Sequence, residues 1–201
     1  IEPLAVAVHA VRVARFQLGA NVLILGAGTI GLMVLQAAKA FGAGQVMITD
    51  LIPDRLGLAR TLGADHAVNP ATTDLTPALE AAFGPQQADV ILECVGVTAT
   101  ARDAIRVARK GTRIVLVGVF EEEVPLNLGL VQDRELELVG TLMYVGDDFP
   151  TALELIRDGR VEVEPLITHR FPLSQAAEAF ATADDRRGAL KVLIQVHAGS
   201  G

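Results

Sequence analysis

Short, unbroken apolar runs alternate along this chain with segments whose apolar residues recur every three or four positions. The set Leu4, Ala7, Val8, Val11 and Ala14 predicts a helix over 3–16, with Pro3 in its first turn. Strands are predicted at 22–25, 45–49, 67–68, 90–93, 113–117 and 136–141. Helices fill the gaps at about 29–41, 53–62, 75–83 and 98–108, with a turn or short helix near 128–131. Gly42, Gly63 and Gly111 stand where three of these helices should stop. Such regular alternation predicts an α/β fold: a doubly wound, six-stranded parallel sheet of Rossmann type, ordered 3-2-1-4-5-6. Ligands of such sheets bind where the order reverses, here between the strands at Val22 and Val90.

The first strand runs directly into Gly26-Ala27-Gly28-Thr29-Ile30-Gly31, a G-x-G-x-x-G pattern at a strand-to-helix junction. Gly26 suits a tight turn, Gly28 lets the main chain approach a pyrophosphate, and Gly31 lets the helix pack closely on the strand. The amides of Thr29, Ile30 and Gly31 would then face a diphosphate with the positive end of a helix dipole. Asp50 ends the next apolar run, at the spacing of an acid that accepts hydrogen bonds from an adenosine ribose. A carboxylate there would repel a 2′-phosphate, so NAD is the expected cofactor. Arg55 lies on the same side, and either faces solvent on its helix or contacts the adenosine end.

After the sixth strand the pattern changes. A helix at 149–158 is followed by a short extended segment at 166–170, a turn and helix at 172–182, and a last β run at 190–196. The six strands already complete a sheet, so these elements should belong to another layer, with the boundary near Tyr144. Gly199-Ser200-Gly201 reads as a flexible, linker-like end.

Composition narrows the class. The chain has 201 residues, a formal net charge of −7 and no basic run, which argues against a nucleic-acid partner. Its 51% hydrophobic content fills a sizeable core, yet no apolar stretch reaches membrane-span length and no signal peptide is visible, so no membrane partner is expected. A single cysteine, Cys94, fits a cytoplasmic location. It lacks an adjacent base and is expected to be an inert, at least partly buried thiol.

With those residues placed, the chain resembles the zinc-dependent medium-chain dehydrogenases, especially the branch acting on sorbitol and other polyols, butanediol and threonine. The likeness rests on Glu2-Pro3-Leu4-Ala5-Val6 with His9-Ala10, the glycine motif with Leu32, Gly63-Ala64-Asp65, Glu93-Cys94-Val95-Gly96, and Pro165-Leu166-Ile167-Thr168-His169-Arg170-Phe171-Pro172-Leu173. The opening pentapeptide and the late Leu-Ile-Thr-His-Arg-Phe-Pro-Leu run are the most specific. The resemblance implies an NAD-binding Rossmann domain with its leading helix over 1–144, and a return to a GroES-like catalytic domain over 145–201. It implies hydride transfer from a secondary alcohol to NAD in an intact parent, where a catalytic zinc is also expected. One cysteine and four scattered histidines cannot rebuild such a metal site, so this chain alone should bind NAD(H) without catalysis and carries no catalytic residue of its own.

The same resemblance suggests individual roles. Glu2 matches a position near the family's catalytic zinc, although an acid also suits a helix N-terminus. Val95-Gly96 would wall the cofactor crevice, and Val117-Gly118-Val119 would meet the nicotinamide carboxamide, or Gly118 simply ends its strand. Lys191 would reach the pyrophosphate, or stand exposed on an edge strand. Met143 occupies a place where polyol dehydrogenases often carry arginine; an apolar residue there weakens the case for sorbitol itself and admits a smaller diol, a threonine-like or a simple alcohol substrate. In the family, dimers join sheets edge to edge through the sixth strand, and the apolar run 136–143 predicts the same homodimer here. The alternative function is a non-catalytic NAD(H)-binding module, sensing redox state or regulating a partner.

Overall fold

The structure, a computed structural model, describes residues 1–185 and 188–196; His197 and the linker-like Gly199-Ser200-Gly201 lie outside the described residues. The chain divides into two compact units, Ile1–Val161 and Glu162–Gly201. The first unit runs past Tyr144 to take in one further helix.

In the first unit six parallel strands, β1 (Val22–Leu25), β2 (Val46–Thr49), β3 (His66–Val68), β4 (Val90–Glu93), β5 (Arg113–Leu116) and β6 (Glu137–Gly140), form one sheet in the order 3-2-1-4-5-6. Helices α1 (Glu2–Ala14), α2 (Thr29–Ala40), α3 (Pro53–Thr61), α4 (Leu75–Phe83), α5 (Thr98–Val107), α6 (Leu128–Asp133) and α7 (Asp148–Arg157) accompany it. Every residue of β1, β2 and β4 is buried, as expected where helices cover both faces of a parallel sheet. Alternation along the strands sorts the side chains. Leu23, Leu25, Met47, Ile91 and Ile114 form a core with Leu75 and Leu79 of α4 and Ala104 and Ile105 of α5. Burying each such Leu or Ile stabilises the fold by roughly 1.5–3 kcal/mol relative to leaving it exposed.

Register places the functional end. Leu25 pairs with both Thr49 and Glu93, and Glu93 pairs with Leu116, so the carboxyl ends of β2, β1, β4 and β5 are level. The fifth strand stops at Leu116, one residue short of expectation. The amides of Val117 and Gly118 both converge on the Glu93 carbonyl, at 2.8 and 2.9 Å, which closes the regular ladder.

The helix α7 packs on α1, and polar side chains fix the contact. Asp148 is fully buried; it accepts hydrogen bonds from Arg12 Nη1 at 2.6 Å and Val145 N at 2.7 Å, with His9 Nδ1 3.0 Å away. Arg12 Nη2 also donates to Thr151 Oγ1 at 2.8 Å. A buried carboxylate is tolerable only with such a set of donors.

The second unit contains β7 (Ile167–Pro172), α8 (Ala176–Asp184) and β8 (Lys191–Gln195), the two strands pairing in parallel with a register shift between Ile167 and His169. Burial alternates strictly along β7, the mark of a strand with one covered face.

Candidate functional site at the sheet's switch point

The crevice between β1 and β4 has two walls. The first is the turn from β1 into α2. Gly26 takes a φ of +102°, a conformation side chains rarely adopt, and donates its amide to Thr49 O. Gly28 caps α2 without any side-chain hydrogen bond, and the first helical bond runs from Leu32 N to Gly28 O at 2.9 Å. Thr29, Ile30 and Gly31 thus form the opening turn, whose amides precede that bond.

The two later glycines of the motif work differently. A Cβ built on Gly28 meets no atom within 4 Å, so the surface over it is open. One built on Gly31 would lie 1.9 Å from Gly26 O, so only glycine lets helix and turn approach this closely.

Asp50 is fixed on the same wall. Its Oδ2 accepts from Ala27 N and its Oδ1 from Ile52 N, both at 2.9 Å. Arg55 on α3 places Nη1 3.9 Å from Asp50 Oδ2, and its side chain is only 17% exposed. The arginine therefore packs beside the acid rather than extending into solvent.

The second wall is organised by Glu93, which was quoted above within a family-like run but assigned no role. It ends β4, fully buried, and its Oε1 accepts three hydrogen bonds: Val95 N and Gly96 N at 2.9 Å, and Thr100 Oγ1 at 2.6 Å. Its Oε2 is buried with no hydrogen-bond partner among the described residues. Gly96, at φ +80°, presses against Val119, where a Cβ would lie 2.3 Å from the carbonyl oxygen. Gly118 is closed as tightly: a Cβ there would lie 2.1 Å from Gly96 N and 2.7 Å from Glu93 Oε2. Val95, Val97 and Val119 are exposed around this knot. A charged residue closing an all-apolar strand was the available sequence signal, since a four-residue buried strand must bury its last side chain too.

Cys94, beside Glu93, donates its amide to Leu25 O, and its thiol lies 3.9 Å from Leu92 O. Burial, then the charge of Glu93, pushes its pKa far above the ordinary thiol value, which leaves no thiolate at neutral pH.

The other singled-out residues lie on other elements. Glu2 opens α1, exposed; Lys191 opens β8 in the second unit, half-buried. His9 adjoins Asp148, His66 Nε2 is 3.1 Å from Gln45 Oε1, and His169 Nδ1 is 3.0 Å from Thr168 Oγ1. Among the described residues, no group of three or more His, Cys, Asp or Glu is arranged to hold a metal ion, and no helix is long and apolar enough to cross a membrane.

A family model described as zinc-binding dehydrogenase matches residues 29–158. Sorbitol dehydrogenase of Bos taurus is 40% identical over 198 residues, an alignment covering 97% of this chain and 55% of the bovine protein. A structure described as a zinc-binding dehydrogenase from Sinorhizobium meliloti 1021, bound to NADP, superposes with a TM-score of 0.88 at 30% identity, covering 97% of this chain and 58% of that one. A structure described as a short chain alcohol dehydrogenase from Escherichia coli CFT073, complexed with NADH, does so with a TM-score of 0.88 at 27% identity, again covering 97% and 58%. The chain spans about half the length of the curated relatives it matches.

Proposed function

This chain belongs to the zinc-binding dehydrogenase family, and from that premise we propose that it is the NAD-binding part of a dehydrogenase of small alcohols or polyols. The observation that carries the reading is the open turn at Gly28: a helix N-terminus capped by a glycine, with room above the main chain, at the point where strand order reverses. Gly26, Gly28, Thr29, Ile30 and Gly31 would hold the pyrophosphate. Asp50 would accept from the adenosine ribose with Arg55 beside it, and the fixed carboxylate favours NAD over NADP by repelling a 2′-phosphate. Val95, Gly96, Val117, Gly118 and Val119 would shape the nicotinamide end.

The bound dinucleotide supplies the hydride acceptor; the protein supplies binding and orientation. Among the described residues, no set of donors fits a zinc ion. Glu2 is this chain's proposed contribution to a metal site completed by residues outside this sequence. On this reading residues 1–144 are the cofactor domain and 145–201 a return segment of the catalytic domain. Met143, 52% exposed, favours a small diol or simple alcohol over a long polyol. The outer edge of β6 has no partner strand among the described residues, and pairing with a second copy there would give a homodimer.

Calorimetry tests the reading. This chain should bind NADH more tightly than NADPH, and Gly28→Val should weaken NADH at least about tenfold by filling the space over the turn. No NADH binding by the unmutated chain would overturn it. Zinc-dependent alcohol oxidation by this chain alone would overturn the view that its own residues do not complete the metal site.

A further inference from the structure

We propose that Glu93 is a positioning residue for the nicotinamide end of the crevice, its buried carboxylate holding the Val95–Gly96 turn and the Val117–Val119 segment in one shape. The inference rests on the cofactor reading above. Glu93 cannot touch a ligand itself, because it is fully buried. It instead determines where three main-chain segments lie. Its side chain gathers the amides of Val95 and Gly96 and the Thr100 hydroxyl at the start of α5. Its carbonyl oxygen gathers the amides of Val117 and Gly118. The turn and the segment then meet at Gly96 and Gly118, where neither glycine leaves room for a Cβ.

The buried Oε2 sharpens the point. A carboxylate kept only for stability would be expected to use both oxygens, since an unpaired buried acceptor is costly. Here one oxygen takes three donors while the other faces Gly118 with none. The arrangement concentrates the side-chain hydrogen bonding on the Val95–Gly96 turn and on the first turn of α5 that follows it. Charge-assisted bonds to an ionised acceptor hold such a turn more stiffly than neutral ones.

The test separates the two ends of the cofactor by using NADH and ADP-ribose, which lacks the nicotinamide, as probes on this chain. Glu93→Gln keeps the side-chain shape but removes the charge. It should weaken NADH by roughly fivefold while leaving ADP-ribose within about twofold of the unmutated chain. Loss of both in parallel, or of neither, overturns the proposal. Should Glu93→Gln fail to fold, Thr100→Val removes only the hydroxyl donor; a selective loss of NADH, about twofold, is expected, and an equal loss for both probes counts against the positioning role. If the unmutated chain binds ADP-ribose and NADH equally, the crevice has no nicotinamide end to position and the proposal falls alone. Binding of neither probe brings down the cofactor reading and this inference with it.

Discussion

The two walls of the crevice are built on opposite plans. On the β1–α2 side, the glycines divide their work: Gly31 is closed against Gly26 O, while Gly28 is left open toward solvent. On the β4–β5 side nothing is left open: Gly96 and Gly118 are both pressed against main chain, and a buried acid ties the knot. An open turn exposes main-chain donors to a ligand. A closed one fixes the contour against which a ligand lies. The same residue type therefore marks a contact in one place and a packing constraint in another, and only the surrounding atoms tell them apart.

Substitutions can break this contrast. Gly31→Ala should be the most damaging, costing about 3 kcal/mol or more, because its Cβ would sit 1.9 Å from a carbonyl oxygen that cannot move without the turn. Urea unfolding measures it; a stability near that of the unmutated chain would show that helix and turn can separate. Asp50→Ser comes next. It removes the carboxylate that accepts from Ala27 N and Ile52 N, costing roughly 1.5–3 kcal/mol in all, and should raise NADPH affinity relative to NADH in parallel titrations. Unchanged cofactor preference would show that this carboxylate does not face the ribose. Gly28→Ala should change stability by less than about 1 kcal/mol, since its φ of −73° suits any residue and nothing lies within reach of the added methyl. A large loss in the same urea assay would mean that the open turn is closed after all.

The smallest effect lies away from both walls. Asp65 accepts from Val46 N at 2.7 Å and Lys39 Nζ at 3.0 Å. Burial acts to raise its pKa, but the Val46 amide, the Lys39 ammonium and the His66 charge outweigh it and leave the value below the ordinary 3.8. A depressed carboxylate pKa adds stability that is present above the unfolded value and lost as pH falls through the folded one. Partial exposure keeps the contribution under about 1 kcal/mol. Asp65→Asn should thus lower the thermal midpoint slightly at pH 7 and not at all near pH 2; equal shifts at both would remove the charge from the explanation.

The sheet was legible because burial on both faces forces continuous apolar runs, and right-handed crossovers then leave one strand order. The β1–α2 wall was legible because its geometry imposes a fixed glycine spacing, with Asp50 at a set distance. Glu93 escaped notice because two of its three side-chain partners are main-chain amides, which any sequence supplies. Arg55 stayed open because a helix-face arginine and one folded back on an acid share the same neighbours in sequence. The anchoring of α7 was harder to read: beside buried Ala152 and Leu155 it rests on Asp148 meeting Arg12 of α1, a contact that hydrophobic periodicity does not register.

That contact between Arg12 and Asp148 joins residues 136 positions apart. A ribosome adding about 5–20 residues per second needs roughly 7–27 s to make the intervening chain. The apolar face of α1 can dock on α2 early in that interval, but its polar face waits for α7. The newborn first unit therefore spends most of its synthesis with α1 still lacking the helix that covers its Arg12 side, and gains it only as 148–157 emerge.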